Sequence, residues 1–261
     1  MKKAMLFIVA MLAAPAVLAE DTPAAPAEEQ SPHSFSANVS LSTDYRFRGI
    51  TQSNNDPAIS GGFDYAYTGL PVGIFLGTWL SSIDFGPPDS GSPDRADVEL
   101  DIYGGLTGTL PIAKGVGWKL GGYGYLYPGS NTGPGVASYD YVEVFGALTY
   151  DFGTFNVTGG FAYSPDYFFE SGDGLYVSGD VGVPLPYDFS LAGHVGHQYI
   201  DNNAQFGTPD YTDWNVGVSK KWKMFTFKLS YVDTDLSETE CFGGLDFCDA
   251  TGVFSVTAAF P

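Results

Sequence analysis

Apolar and polar positions alternate strictly from Phe35 to Arg46. Phe35, Ala37, Val39, Leu41, Thr43 and Tyr45 fall on one parity; Ser36, Asn38, Ser40, Ser42, Asp44 and Arg46 fall on the other. Successive side chains of a strand point to opposite faces, so this period of two predicts one strand with an apolar face and a wet face. Its length suits a tilted strand crossing a bilayer, which takes roughly 9–11 residues. Weaker copies of the pattern predict strands over 35–47, 57–67, 72–82, 97–108, 117–127, 139–150, 154–164, 174–184, 188–199, 210–220, 224–233 and 250–260.

The links between these segments alternate in length. Thr68–Pro71, Asp151–Gly153, Leu185–Tyr187 and Lys221–Lys223 are tight, and Thr109–Val116 is somewhat longer. Arg48–Asp56, Ile83–Ala96, Pro128–Ser138, Pro165–Asp173, Ile200–Pro209 and Thr234–Asp249 are long. Short turns alternating with long loops characterise an up-and-down outer-membrane barrel with its turns in the periplasm. A Greek-key sandwich has no reason to alternate this way. The expected fold is therefore all-β, an up-and-down antiparallel transmembrane β-barrel of about 12 strands spanning 35–261. Aromatic residues near strand ends, among them Tyr45, Phe47, Tyr150, Phe152, Trp222 and Phe260, fit interfacial girdles.

The chain start changes the picture of where the barrel resides. Residues 1–19 have Lys2 and Lys3, a short apolar run and Val17-Leu18-Ala19, the pattern of a secretory signal peptide. Residues 20–34 are rich in Pro, Ala and Glu and are expected to form a disordered periplasmic arm. Beyond the signal no apolar run reaches the length of a transmembrane helix. In lipid every backbone polar group needs a partner, which leaves a closed barrel. Export by this signal implies the bacterial outer membrane, with its lipid and lipopolysaccharide as surroundings.

Charge narrows the partners. Without Lys2 and Lys3 the chain has nine cations against 30 acids, a net −21. That excludes nucleic acid and anionic membrane surfaces as partners. The acids concentrate in the long links, whose only cations are Arg48 and Arg95, while Lys114, Lys220, Lys221 and Lys223 sit at the short turns. Cys241 and Cys248 are expected to form a disulfide, because an exported chain meets an oxidising compartment. Its expected place is the last long link, outside the barrel wall.

The segment Leu41–Ser53 (LSTDYRFRGITQS), with Pro57-Ala-Ile and Gly61-Gly-Phe-Asp-Tyr65, resembles the TorF-family porins of proteobacteria. Gly77-Thr-Trp79, Glu99–Tyr103, Ser164–Phe168 and Asp233–Ser237 with the two cysteines extend the resemblance over nearly the whole mature chain. It implies a pore without naming a solute. One departure is Pro261 following Phe260, since such barrels usually end on an aromatic residue that the assembly machinery reads.

Charged side chains on wet faces are the candidate pore lining: Asp44, Arg46 and Arg48 on the first strand, Asp64 on the second, Glu99 and Asp101 on the fourth, and Glu143, Asp180 and Lys228. Asp213 shares that character. Cations on one wall facing acids on another make a selectivity constriction; the same groups could instead neutralise one another and, with Tyr103 and Tyr176, close the lumen. No catalytic site, cofactor or metal is expected. Ser190 and His194 share a parity but stand about 13 Å apart by strand rise, and His197 is expected to face lipid near Thr212. The expectation is a passive channel for small solutes or ions, cation-preferring. Its rivals are a closed structural or adhesive barrel and an outer-membrane lipid-modifying enzyme.

Overall fold

A computed structural model describes residues 31–85, 96–111, 115–130 and 137–261. The expected signal segment, most of the arm, Arg95 and Lys114 lie outside the described residues. Twelve long strands form the wall. They are β1 (His33–Ser42), β4 (Ala58–Tyr67), β5 (Gly73–Ser82), β6 (Val98–Thr109), β7 (Val116–Leu126) and β8 (Tyr141–Asp151). They continue with β9 (Asn156–Ser164), β10 (Gly174–Leu185), β11 (Phe189–Ile200), β12 (Tyr211–Trp222), β13 (Phe225–Thr234) and β14 (Thr251–Phe260). Each pairs antiparallel with its sequence neighbours, and β1 pairs with both β4 and β14, so the sheet closes. Closure leaves no unpaired edge. No helix among the described residues is long and apolar enough to cross a membrane.

The alternation read from the sequence is the alternation of the wall. Leu41, Phe63, Ile102 and Leu229 point outward and are 59, 50, 52 and 55% exposed. Their neighbours Ser42, Asp64, Asp101 and Lys228 point inward. Apolar exposure on this scale suits a lipid solvent and not water. Tyr150, Phe152, Phe189, Trp222 and Phe260 form an exposed aromatic girdle at the tight-turn rim.

One predicted strand is wrong in its extent. The first wall strand stops at Ser42, not at residue 47. Residues beyond it fold into a two-stranded hairpin, β2 (Arg46–Phe47) and β3 (Ile50–Thr51), apart from the wall. Asp44, Arg46 and Arg48 are therefore not wall residues, and Tyr45 and Phe47 do not belong to a girdle. Residues 43–45 bend the chain away from the wall and only Arg46–Phe47 are strand, so the alternation past Ser42 does not mark one continuous strand.

If the barrel sits with its long links outside, a cysteine replacing the exposed Asp166 should react with a membrane-impermeant maleimide on intact cells. A cysteine replacing the exposed Thr154 should react only after the outer membrane is permeabilised. The opposite pattern would invert the topology.

Candidate functional site: the barrel interior and its plug

The inward hairpin is built by its own turn. Arg48 and Gly49 have φ of 46° and 82°, the pair of positive φ values that a two-residue hairpin loop with the right twist requires. A Cβ on Gly49 would lie 2.5 Å from Thr234 Cγ2 and 2.8 Å from Asp213 Cβ, so the turn is pressed against the inner wall. Asp44 accepts hydrogen bonds from Thr51 Oγ1 at 2.6 Å and Ser53 Oγ at 3.1 Å, and it pairs with Arg46. Arg46 Nη1 donates to the carbonyls of Gly49 at 3.1 Å and Phe247 at 2.7 Å. Arg46 thus ties the hairpin base to the last loop and does not line a passage.

Arg48 reaches across the barrel. Its Nη2 donates to both oxygens of Glu143 on β8 at 2.8 Å, and its Nη1 to Gln198 Oε1 on β11 at 2.7 Å. The guanidinium lies 4.3 Å from the ring centre of Tyr176 and 4.7 Å from that of Phe47. The Arg48 and Glu143 side chains are 6 and 2% exposed. Burying two charges is costly, and charge-assisted hydrogen bonds with stacked rings offset that cost here. Removing either partner would leave the other charged and unpaired.

Around this latch the loop half of the interior is filled. Tyr125, Tyr127, Tyr141, Tyr167, Tyr211 and Phe206 pack with Ile50 and Ile83 into one buried cluster. Glu99 is held within it, accepting from Tyr45 Oη at 2.7 Å and Tyr127 Oη at 2.9 Å. Burial pushes the Tyr45 and Tyr127 phenols well above their ordinary range, with the nearby Glu99 charge adding to the effect. Both therefore stay protonated as donors. Cys241 and Cys248 are disulfide-bonded, with Cα atoms 6.0 Å apart. They are 0 and 1% exposed and belong to this cluster. The bridge exists as expected, but its place is inside the loop-side core, because the last loop folds inward onto the hairpin.

Toward the tight turns the inward side chains emerge from the core. Asp64, Tyr103, Lys119, Asp180, His194 and Lys228 are half-buried. Tyr103 Oη donates to Asp64 at 2.6 Å. His194 lies between carboxylates, with Nδ1 2.7 Å from Asp180 Oδ1 and Nε2 3.3 Å from Asp213 Oδ1. Tyr176 Oη sits 2.7 Å from His194 Nε2 and donates to Asp213 Oδ2 at 2.8 Å. The interior thus grades from a polar, partly accessible half at the tight turns to a packed half under the loops.

All nine charged residues expected to line a pore lie in the interior or on the inward hairpin, in two different settings. Asp44, Arg46, Arg48, Glu99, Asp101 and Glu143 are in the packed loop half, while Asp64, Asp180 and Lys228 are in the accessible half. The sequence reading passed over Trp79, Tyr127, Tyr167 and Gln198. Gln198 shares the inward parity of His194 and was findable from that; Tyr167 lies on a link, where no parity helps. Among the described residues no three His, Cys, Asp or Glu side chains gather as a metal site would require. His194 is engaged by Asp180, Tyr176 and Asp213, far from a serine nucleophile's role. His197 faces outward, with Nδ1 2.9 Å from Thr212 Oγ1.

A sequence family described as a bacterial protein of unknown function, Gcw_chp, matches residues 26–260. The chain belongs to the Gcw_chp family. Membership in that family assigns no activity, and no curated protein matches the sequence. Solved barrels are similar in fold. The KdgM porin matches at 7% identity over 87% of this chain and 98% of its own, with a TM-score of 0.54. The NanC porin matches at 10% identity over 86% and 99%, also at 0.54. The KdgM porin in complex with disordered oligogalacturonate matches at 7% identity, over 87% and 99%, at 0.51. At such identities the likeness is one of fold.

Proposed function

We propose that this chain is an outer-membrane channel for small solutes, closed on its loop side by the hairpin of the first long link. The observation that carries this reading is the nature of the closure. The wall encloses a polar, charged interior, and what fills its loop half is not wall but links folded inward, held by the Arg48–Glu143 pair. The tight-turn half of that interior keeps half-buried charged side chains, Asp64, Asp180 and Lys228, which supports a water-accessible path up to the plug. The packed aromatic core favours one second reading, a permanently closed barrel.

The narrower resemblance to TorF-family porins agrees with the channel reading, as does the barrel shared with KdgM and NanC. One of those neighbours has been solved with an acidic sugar chain, oligogalacturonate. The interior here is unsuited to such an anion: Glu99, Asp101 and Glu143 lie where the hairpin withdraws, and Asp64, Asp180 and Asp213 lie elsewhere on the inner face. A low-dielectric wall strengthens their attraction for cations. Lys119 and Lys228 oppose it, so the preference is moderate. The chain is read as a channel and not as an enzyme.

Refolded protein in a planar bilayer should show discrete conductance steps, rare in the native protein and frequent once the hairpin is released. In a salt gradient the reversal potential should report cation preference, falling as salt rises because screening shortens to about 3 Å at 1 M. Glu99→Gln with Asp101→Asn should weaken it. Anion preference would reject the electrostatic part. No steps even after deletion of residues 46–51 would favour the closed barrel.

A further inference from the structure

One inward pair is unlike the rest of the interior. Trp79 on β5 and Asp101 on β6 are direct cross-strand partners, both on the inner face, so their side chains are neighbours. Trp79 Nε1 and Asp101 Oδ1 are buried, and neither has a hydrogen-bond partner in the protein. Asp101 is 6% exposed. An unpaired buried donor beside an unpaired buried carboxylate oxygen is expensive, and the two do not satisfy each other. Every other buried carboxylate described above is engaged: Glu99 by two tyrosines, Glu143 by Arg48, Asp213 by Tyr176 and Asp44 by Thr51 and Ser53.

The surroundings are those of a small polar ligand site. Gly62 is the partner of Trp79 on β4, and Gly77 precedes it on the same face of β5; the Tyr103 ring lies over Gly77, where an added Cβ would stand 2.4 Å from it. The Tyr45 ring packs on Trp79 with centroids 5.1 Å apart. Tyr103, Tyr123 and Tyr125 form a run of rings at 4.8 and 5.5 Å. Above the pair everything is packed; one step toward the tight turns Asp64, Tyr103 and Tyr123 are half-buried. The pair stands where the accessible lumen meets the floor of the plug.

The chemistry of the two atoms selects the ligand. A cation would satisfy Asp101 and leave the indole N–H facing another positive charge with nothing to accept from it. A carboxylate would accept from Trp79 and be repelled by Asp101, with Glu99 and Glu143 adding to the repulsion. A hydroxyl does both, accepting from Trp79 Nε1 and donating to Asp101 Oδ1. Aromatic faces beside it suit the apolar C–H face of a sugar ring. We propose that the Trp79–Asp101 pair is a lumenal binding site for neutral, polyhydroxylated small molecules, with the aromatic rings as its platform. This rests on the channel reading only for how the ligand arrives; binding itself needs the barrel alone.

The test uses the full mature chain, refolded in a detergent without a sugar headgroup, with folding checked by heat-modifiable gel migration. Glucose and maltose are the neutral probes and galacturonate the acidic one. Titration calorimetry, with tryptophan emission in parallel, should show saturable binding of a neutral probe and none of galacturonate. Trp79→Phe keeps a ring and removes the N–H, and should weaken binding by about three- to tenfold, the value of one lost hydrogen bond between neutral groups. Trp222→Phe, on the exposed outer girdle, should change nothing. Asp101→Asn keeps an acceptor and lifts the repulsion, so it should retain glucose or maltose within a few-fold and admit galacturonate. Absence of saturable binding of both neutral sugars to folded protein, or binding unchanged in Trp79→Phe, would overturn the proposal. Preference of the native protein for galacturonate would do the same. Binding without bilayer conductance, even after deletion of residues 46–51, would sink the channel reading and leave this site standing.

Discussion

Arg48→Ala should turn a rarely conducting barrel into a frequently conducting one. Arg48 donates twice to Glu143 and once to Gln198, in a site where its side chain is 6% exposed. Breaking a buried ion pair by removing one partner costs about 3–5 kcal/mol, because the other charge is left unpaired. Glu143 is fixed on β8 with the Tyr125 hydroxyl as a remaining donor at 3.2 Å, so the wall relieves that cost only by protonating the carboxylate. The hairpin can relieve it by withdrawing and letting water reach the carboxylate. The expected result is at least a tenfold rise in open probability in bilayers, with new protease cleavage within residues 43–57. Arg48→Lys should fall between native and Ala, because lysine lacks the planar fork that bonds Glu143 and Gln198 together and stacks on Tyr176. Adding Glu143→Gln to Arg48→Ala should restore much of the closure, since a neutral amide tolerates burial better than a lone charge. Identical traces and digestion patterns for native and Arg48→Ala protein would show that the pair does not hold the plug.

Removing the disulfide should have a comparable effect on the plug and little on the wall. On the chain-entropy model a closed loop of about eight residues contributes roughly 2.5 kcal/mol. Here the bridge also fills the loop-side core, where Phe247 packs beside it and Arg46 holds the Phe247 carbonyl. Cys241→Ala with Cys248→Ala should still insert and still show heat-modifiable migration, because β13 and β14 remain paired along their length. Cleavage within residues 235–250 and channel opening should both increase. In the native protein the disulfide should resist mild reductant until the barrel is unfolded, as both cysteines are at most 1% exposed. Free thiols in protein purified without reductant, or a double variant as closed and protease-resistant as the native chain, would contradict this account.

Both effects concern the part of the molecule that alternation could not describe. The wall was legible because its determinants are local. A period of two assigns each strand's faces, and link length assigns each end of the barrel; both are properties of ten or twenty consecutive residues. Phe35, Val39 and Leu41 face outward as their parity requires, and β10, predicted over 174–184, runs from Gly174 to Leu185. The inward set was legible too, since Asp64, Glu99, Asp101, Glu143 and Asp180 all follow the same rule. Parity cannot say what meets an inward side chain once the sheet has closed. Arg48 is 95 positions from Glu143 and 150 from Gln198. Nothing in the spacing of those residues distinguishes an ion pair across the lumen from charges lining open water. The same holds for the cysteines: their closeness in sequence predicts the bridge, while its burial depends on a loop folding inward over a hairpin from the other end of the chain. The sequence by itself determined the closed wall, its lipid face and its polar inner face. The tertiary structure decided that the loop half is filled, because filling depends on long-range desolvation and pairing among side chains that only closure of the barrel brings together.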